Sequence, residues 1–208
     1  MSSKLKLIKP IDYAHEVKIT QFFIDPAMME QQRQRIKAAL PKEMNDETMM
    51  QYELLQLSIK DNVFSAIMNY LAEHFEFEID QEEVKKLVEQ LKSSGLGAQR
   101  EELLANMADK IVKKGLMFDY LAEQWKVKVS DQEVKNMLDI YYEKTNQSIH
   151  DVLNDSQKFE SVRSSIFEEK MVLKTISMFL IRFNMQNPNY MDDSQEESQP
   201  SAEQKSVN

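Results

Sequence analysis

The sequence predicts an all-α fold built from long helices, and three observations carry that prediction. Gly (3) and Pro (5) are too scarce in 208 residues for the many tight turns that a β-sandwich or barrel needs. Apolar residues recur at three- and four-residue spacing over long runs, as they do on one face of a helix. A stretch of helix–elbow–helix character also occurs twice, at 67–91 and 117–141, and the copies align without a gap at an offset of 50 residues. Such a repeat points to a duplicated supersecondary unit.

Residues 1–24 carry Val17, Ile19, Phe22 and Ile24, a pattern open to a short strand or to an arm lying on the body. Asp25-Pro26 reads as a helix start, with Asp as N-cap and Pro at the first helical position. That helix runs through Leu40 and stops before Pro41, because a residue preceding proline avoids helical backbone. A second helix is expected from about Asp46 to His74, roughly 43 Å long at ~1.5 Å per residue. Its stripe is Leu54, Leu57, Phe64, Met68, Leu71 and Phe75. A helix of that length suggests an extended body.

The repeat begins at the end of this helix. Ile67–Leu91 reads IMNYLAEHFEFEIDQEEVKKLVEQL, and Met117–Tyr141 reads MFDYLAEQWKVKVSDQEVKNMLDIY. In each copy a helix ends at YLAE, and a segment alternating apolar and charged residues follows. That period of two reads as extended chain with one face buried. Asp80-x-x-Glu83 and Ser130-x-x-Glu133 then fit the capping box, in which the cap oxygen takes a backbone N–H and the Glu reaches back. Between the copies, Ser93–Gly97 marks a turn. A helix from about Gln99 then carries Leu104, Ala108, Ile111, Gly115, Phe118, Ala122 and Trp125, a seam for packing against another helix.

The helix opened by the second elbow should end near Asn146. Ser148–Leu153 suggests a short helix, and Asn154-Asp155-Ser156 another helix start. The final helix is expected over 157–184, apolar almost all round from Ile176 to Ile181, which implies deep burial or a bound partner. From Gln186 the chain turns to Asn, Ser, Gln, Asp and Glu, the composition of a disordered acidic tail. The organisation expected is an N-terminal arm and helix (1–45), a helical domain (46–185) containing both repeat units, and the tail (186–208).

Composition excludes several classes of function. Cysteine is absent, which removes disulfides, thiolate metal sites and Cys nucleophiles. The net charge is −9 and the lysine pairs sit among acids, unlike the concentrated basic face of a nucleic-acid binder. No apolar run approaches the ~20 residues needed to span a bilayer, and the first residues lack the apolar core of a signal peptide. No membrane association and a cytoplasmic location are the expectation. His15, His74 and His150 are scattered, so no metal is expected. The adjacent pairs Glu82-Glu83, Glu101-Glu102 and Glu168-Glu169 point in different directions on a helix and suit no acid–base pair. With no catalytic or phosphate-binding motif present, the chain is not expected to be an enzyme or to carry a cofactor.

The residues also resemble a known family. The stretch 108–176, with its helix ending in LAE, the elbow and cap V-S-D-Q-E-V at Val129–Val134 and Glu168-Glu169-Lys170-Met171-Val172 in the closing helix, is similar to the C-terminal domain of the bacterial chaperone trigger factor. The stretch 53–91 resembles the first arm of that domain, with Asp80 where the family often has Pro. The resemblance covers about residues 47–183. It implies two helical arms around an apolar cradle that holds unfolded chains reversibly, a core shared with the SurA-like peptide-binding family. The G-F-R-x-G-x-x-P ribosome-docking loop is absent, and 3 Gly leave no room for a prolyl-isomerase domain. Neither activity is therefore implied.

The expected function is a holdase-like molecular chaperone for unfolded or nascent polypeptides. The alternative is a dedicated interaction module or homo-oligomeric scaffold, for instance a homodimer, on the same fold. The 14 Met suit either reading, since thioethers fill irregular cores and also repack around dissimilar partners. The candidate client-binding residues are Met117, Trp125, Tyr142, Phe167, Met171, Met178 and Phe179. Met117, Met171, Met178 and Phe179 are the candidates for exposed apolar contacts, each equally open to core packing. Trp125 is open between a client contact and a structural anchor in the helical seam.

Overall fold

A computed structural model describes residues 2–23, 26–39, 47–93, 101–145 and 148–184. Among these residues the chain is mostly helical. Two short strands, β1 (Lys4–Leu7) and β2 (Glu16–Ile19), precede the helices α1 (Pro26–Ala39) and α2 (Glu47–Ala72). Strand β3 (Phe75–Glu78) leads into α3 (Gln81–Leu91), then α4 (Glu101–Trp125) and α5 (Asp131–Thr145). The single turn α6 (His150–Leu153), helix α7 (Ser156–Ser177) and strand β4 (Leu180–Phe183) close the fold. The expected turn at 93–97 lies largely, and the acidic tail wholly, outside the described residues.

Helix α2 has 26 residues, about 39 Å at ~1.5 Å per residue. Leu54, Met68 and Leu71 of its expected stripe are buried, together with Met50, Val63 and Ile67. The main core gathers Val63, Ile67 and Leu71 of α2, Met117, Phe118 and Leu121 of α4, and Met171 of α7. A smaller cluster forms where α3 lies on the first half of α4, through Val84, Val88, Leu104 and Ala108. α5 packs on α7 and buries Val134 and Leu138.

The N-terminal segment resolves as two strands. β1 pairs antiparallel with β3, Leu5 opposite Phe77, so it covers the first elbow. β2 pairs in parallel with β4, Glu16 opposite Leu180, and sinks Val17 and Ile19 into the main core. Between them, Tyr13 packs its ring 6.2 Å from Trp125 and 5.5 Å from Phe179. His15 stacks on Tyr70 at 4.1 Å.

Two expectations are corrected, in the final helix and in the first capping box. The final helix ends at Ser177, not near 184, and the apolar run from Ile176 to Ile181 divides between a helix end and a strand. Its all-round apolarity reflects that change of period: Phe179 turns inward while Ile181 meets Val17 across the sheet. The two elbows differ in one respect: the first is paired as β3, whereas the second forms no strand, because no N-terminal segment reaches it. The first capping box is also indirect. Asp80 accepts the Glu82 N–H at 2.9 Å, but the Glu83 carboxylate does not return to Asp80. The Ser3 hydroxyl stands between them, accepting the Asp80 N–H at 2.9 Å and donating to Glu83 at 2.7 Å.

The two helices preceding the elbows end differently. α2 stops at Ala72, whereas α4 continues to Trp125, the position matching Phe75. α4 ends in a Schellman motif, with Val127 N–H donated to Ala122 C=O at 2.9 Å. The left-handed residue that this motif requires is Lys126, at φ 56°. A left-handed non-Gly residue costs about 1–2 kcal/mol, and Gly returns about 0.5–1 kcal/mol of that as unfolded-state entropy. Lys126→Gly should therefore raise stability by roughly 0.5–1 kcal/mol, measured by chemical denaturation. A loss of stability would show that the lysine makes a compensating contact.

Candidate functional site

The seam on α4 does only part of the work its spacing implied. Leu104, Ala108 and Phe118 are buried, but Ile111, midway along, is 39% exposed. Ile111, Gly115 and one side of Phe118 form the floor of a groove of about 510 Å³. α3 supplies Leu87 to one wall and α7 supplies Phe167 to the other. A partly apolar groove thus stands open between α3 and α7.

Gly115 lies inside a 25-residue helix, and a Cβ built on it meets nothing within 4 Å. No neighbour requires its smallness. Glycine inside a helix costs about 1 kcal/mol relative to alanine, so α4 accepts a weaker helix where the groove floor is bare. The rim is charged on both sides. Lys114 bridges from α4 to Glu168 on α7 and lies 5.8 Å over the Phe118 ring. Partial burial pushes the Asp119 carboxyl up, while the Ser3 hydroxyl holds Glu83 down.

The second elbow is fixed by a polar clamp from α7. Arg163 donates to the Val129 carbonyl at 2.9 Å and to Asp131 at 2.7 Å. Lys170 donates to the Lys128 carbonyl at 2.7 Å and to Glu133 at 2.6 Å. Glu133 also takes the Ser130 N–H at 2.9 Å, completing the expected capping box. The Lys170 ammonium and that N–H push the Glu133 carboxyl from its ordinary 4.5 down to about 2. A carboxylate depressed by folding stabilises the fold above its unfolded pKa, and that contribution is lost as pH falls through the folded value. The stability difference between the native chain and Glu133→Gln should accordingly shrink between about pH 4.5 and pH 2. Thermal melts across that range check it; a pH-independent difference would leave the clamp without an ionic role.

Of the candidate contact residues, only Phe167 lines this groove. Met171 is fully buried, and Met117 and Phe179 are 4% and 7% exposed. Of the two readings open for these side chains, core packing is the one that holds: α2, β2 and Tyr13 cover faces that stand bare when α4 and α7 are considered alone. Met178 is half-buried against the same core, as C-cap of α7. Trp125 is half-buried beneath Tyr13, the geometry of an anchor. Tyr142 is 47% exposed on α5 and lines a separate shallow depression with Leu153. Leu87, Ile111 and Gly115 were absent from the candidates, although Ile111 and Gly115 had been placed on the seam. Seam spacing says that a face wants a partner, not that none is present.

Among the described residues, no group of three or more His, Asp or Glu is placed to hold a metal ion. No described helix is long and apolar enough to cross a membrane. Over residues 29–177 the chain matches the family described as bacterial trigger factor protein (TF) C-terminus. The uncharacterized protein MG377 of Mycoplasma genitalium and its Mycoplasma pneumoniae homologue are each 44% identical over 185 residues, 89% of this chain and 95% of theirs. The crystal structure of a hypothetical Mycoplasma protein, MPN555, is similar at a TM-score of 0.79 and 43% identity, over 88% of this chain and 92% of that one.

Proposed function

The chain belongs to the family of the bacterial trigger factor C-terminus, and from that premise we propose that it is a holdase-like chaperone. It takes unfolded or nascent polypeptides into the groove between α3, α4 and α7 and catalyses no reaction. The observation that carries this reading is the unpartnered middle of the α4 seam, with Gly115 at its floor. An apolar concavity with mixed charges at its rim favours polypeptide over nucleic acid, and modest apolar contacts suit reversible holding at roughly micromolar affinity. In this reading residues 46–185 form the chaperone domain, 1–45 brace it, and 186–208 are a separate acidic tail. On the same reading the protein works in the cytoplasm, and its holding of polypeptides does not rely on a ribosome-docking loop.

The test is suppression of aggregation of several unrelated unfolded proteins at stoichiometric amounts. Gly115→Leu should weaken client binding by tenfold or more by filling the groove floor, while Gly115→Ala should raise stability by up to about 1 kcal/mol. Clients held equally well by Gly115→Leu would remove the groove from the reading.

A second reading, a homo-oligomeric scaffold, draws on α5. Its Met137, Ile140 and Tyr141 are 42–45% exposed, whereas Val134 and Leu138 of the same helix pack inward. A concentration-dependent mass in sedimentation, without protection of any client, would favour it.

A further inference from the structure

A second groove, of about 370 Å³, lies on the other side of α4, against α2. Its floor is the half-buried Phe64 and Ala72 above the buried Met68 and Met117, and its α4 edge carries Lys110, Lys113 and Lys114. The α2 residues lining it include no carboxylate. Lys113 is paired with Asp109 at 2.8 Å and Lys114 with Glu168. Lys110 has no carboxylate within ion-pair distance among the described residues. A basic, apolar-floored groove in a chain of net charge −9 suits a segment that joins apolar side chains to carboxylates.

Beyond the described residues, the C-terminal sequence carries a segment of this kind. Tyr190-Met191-Asp192-Asp193-Ser194-Gln195-Glu196-Glu197 places an aromatic and a thioether directly before four carboxylates. The described chain also leaves near the groove. The Phe183 ring, at the end of β4, lies 6.1 Å from Phe22. The Phe23 N–H is donated to Asn62 of α2 at 2.6 Å, and the groove opens at Phe64 and Ser65, less than a turn further along that helix. The residues from Asn184 to Tyr190 span up to about 20 Å when extended. A tethered segment meets its site at an effective concentration near millimolar, enough to populate a weak contact.

We propose that the α2–α4 groove is a docking site for the chain's own Tyr190–Glu197 segment, which competes with incoming clients. Tyr190 and Met191 cover the half-buried Phe64 and Ala72, and the carboxylates face Lys110 and Lys113. Lys114 borders both grooves, so a docked segment crowds the mouth of the client groove. The competition rests on the holdase reading; the docking itself does not.

Zero-length carbodiimide crosslinking of the full chain at low concentration tests the docking. Intrachain links from Lys110 or Lys113 to Asp192, Asp193, Glu196 or Glu197 are expected. Lys110→Glu should deplete them, and Lys110→Glu combined with Asp192→Lys and Asp193→Lys should restore links at 110 with the partners exchanged. Links only to other lysines, links only between molecules, or no links at all would overturn the proposal. The competition is read with the full chain carrying Asp192→Asn, Asp193→Asn, Glu196→Gln and Glu197→Gln. It should bind a permanently unfolded client roughly three- to tenfold more tightly than the native chain, as expected for removing a tethered competitor held by exposed charges. Unchanged affinity would overturn the competition. Failure of both chains to bind any client would count against the holdase reading, and the crosslinks would then decide the docking alone.

Discussion

Truncating Met171 to alanine should lower the unfolding free energy by roughly 2–5 kcal/mol, the range for large apolar side chains removed from cores. Met171 has no exposed surface and sits where α7 meets α2 and α4. Client affinity per folded molecule should stay unchanged, because no surface that a client could touch is altered. Met178→Ala should cost less, since that side chain is only half-buried. Urea unfolding and client titration on the same two variants separate the quantities. A Met171→Ala chain of native stability that binds clients poorly would mean that the core opens around a client and that Met171 is a contact.

Deleting residues 2–22 should have the largest effect and prevent cooperative folding. The segment buries Val17 and Ile19, at about 1.5–3 kcal/mol each by transfer arithmetic. Its loss would also uncover Phe75, Trp125 and Phe179 and break both strand pairings. Natural domains are stable by only about 5–15 kcal/mol, so these losses together approach the whole margin. Purification yield and a thermal melt check it. A truncated chain that melts within a few degrees of the full one would show that the helices hold together unaided. Ser3→Ala, a milder probe, should loosen only the start of α3 through the interrupted capping box.

Much of this fold was legible because its signals are local. Helix periodicity placed α2, α4 and the start of α7 to within a few residues, and the gapless repeat located both elbows and both caps. The errors share a cause. β2 and β4 are four residues each, too short for periodicity, and each exists only because the other lies beside it. The same pairing turned the expected end of the last helix into a strand, and Ser3 entered a cap whose sequence pattern looked complete without it. The candidate site followed the same logic. Met117, Met171 and Phe179 sit on apolar faces that read alike whether α2 and Tyr13 cover them or not. Gly115, on the seam from the start, gains its meaning only from the empty space above it.

The parallel pairing of β2 with β4 has a kinetic consequence. Glu16 faces Leu180, so the contact that seats Val17 and Ile19 closes a loop of about 160 residues. Long-range pairings of this kind slow folding, because the entropy of loop closure is lost before the contact repays it. During synthesis at about 5–20 residues per second, β2 emerges roughly 10–30 s before β4. In that interval Val17, Ile19, Tyr13 and the face of α2 they cover have no permanent partner. On the holdase reading, the chain is for those seconds itself one of the unfinished polypeptides it would hold, and a second finished copy is a candidate to hold it. Pulse-labelled refolding with and without added native protein would show whether the last step, the arrival of β4, is accelerated or merely protected.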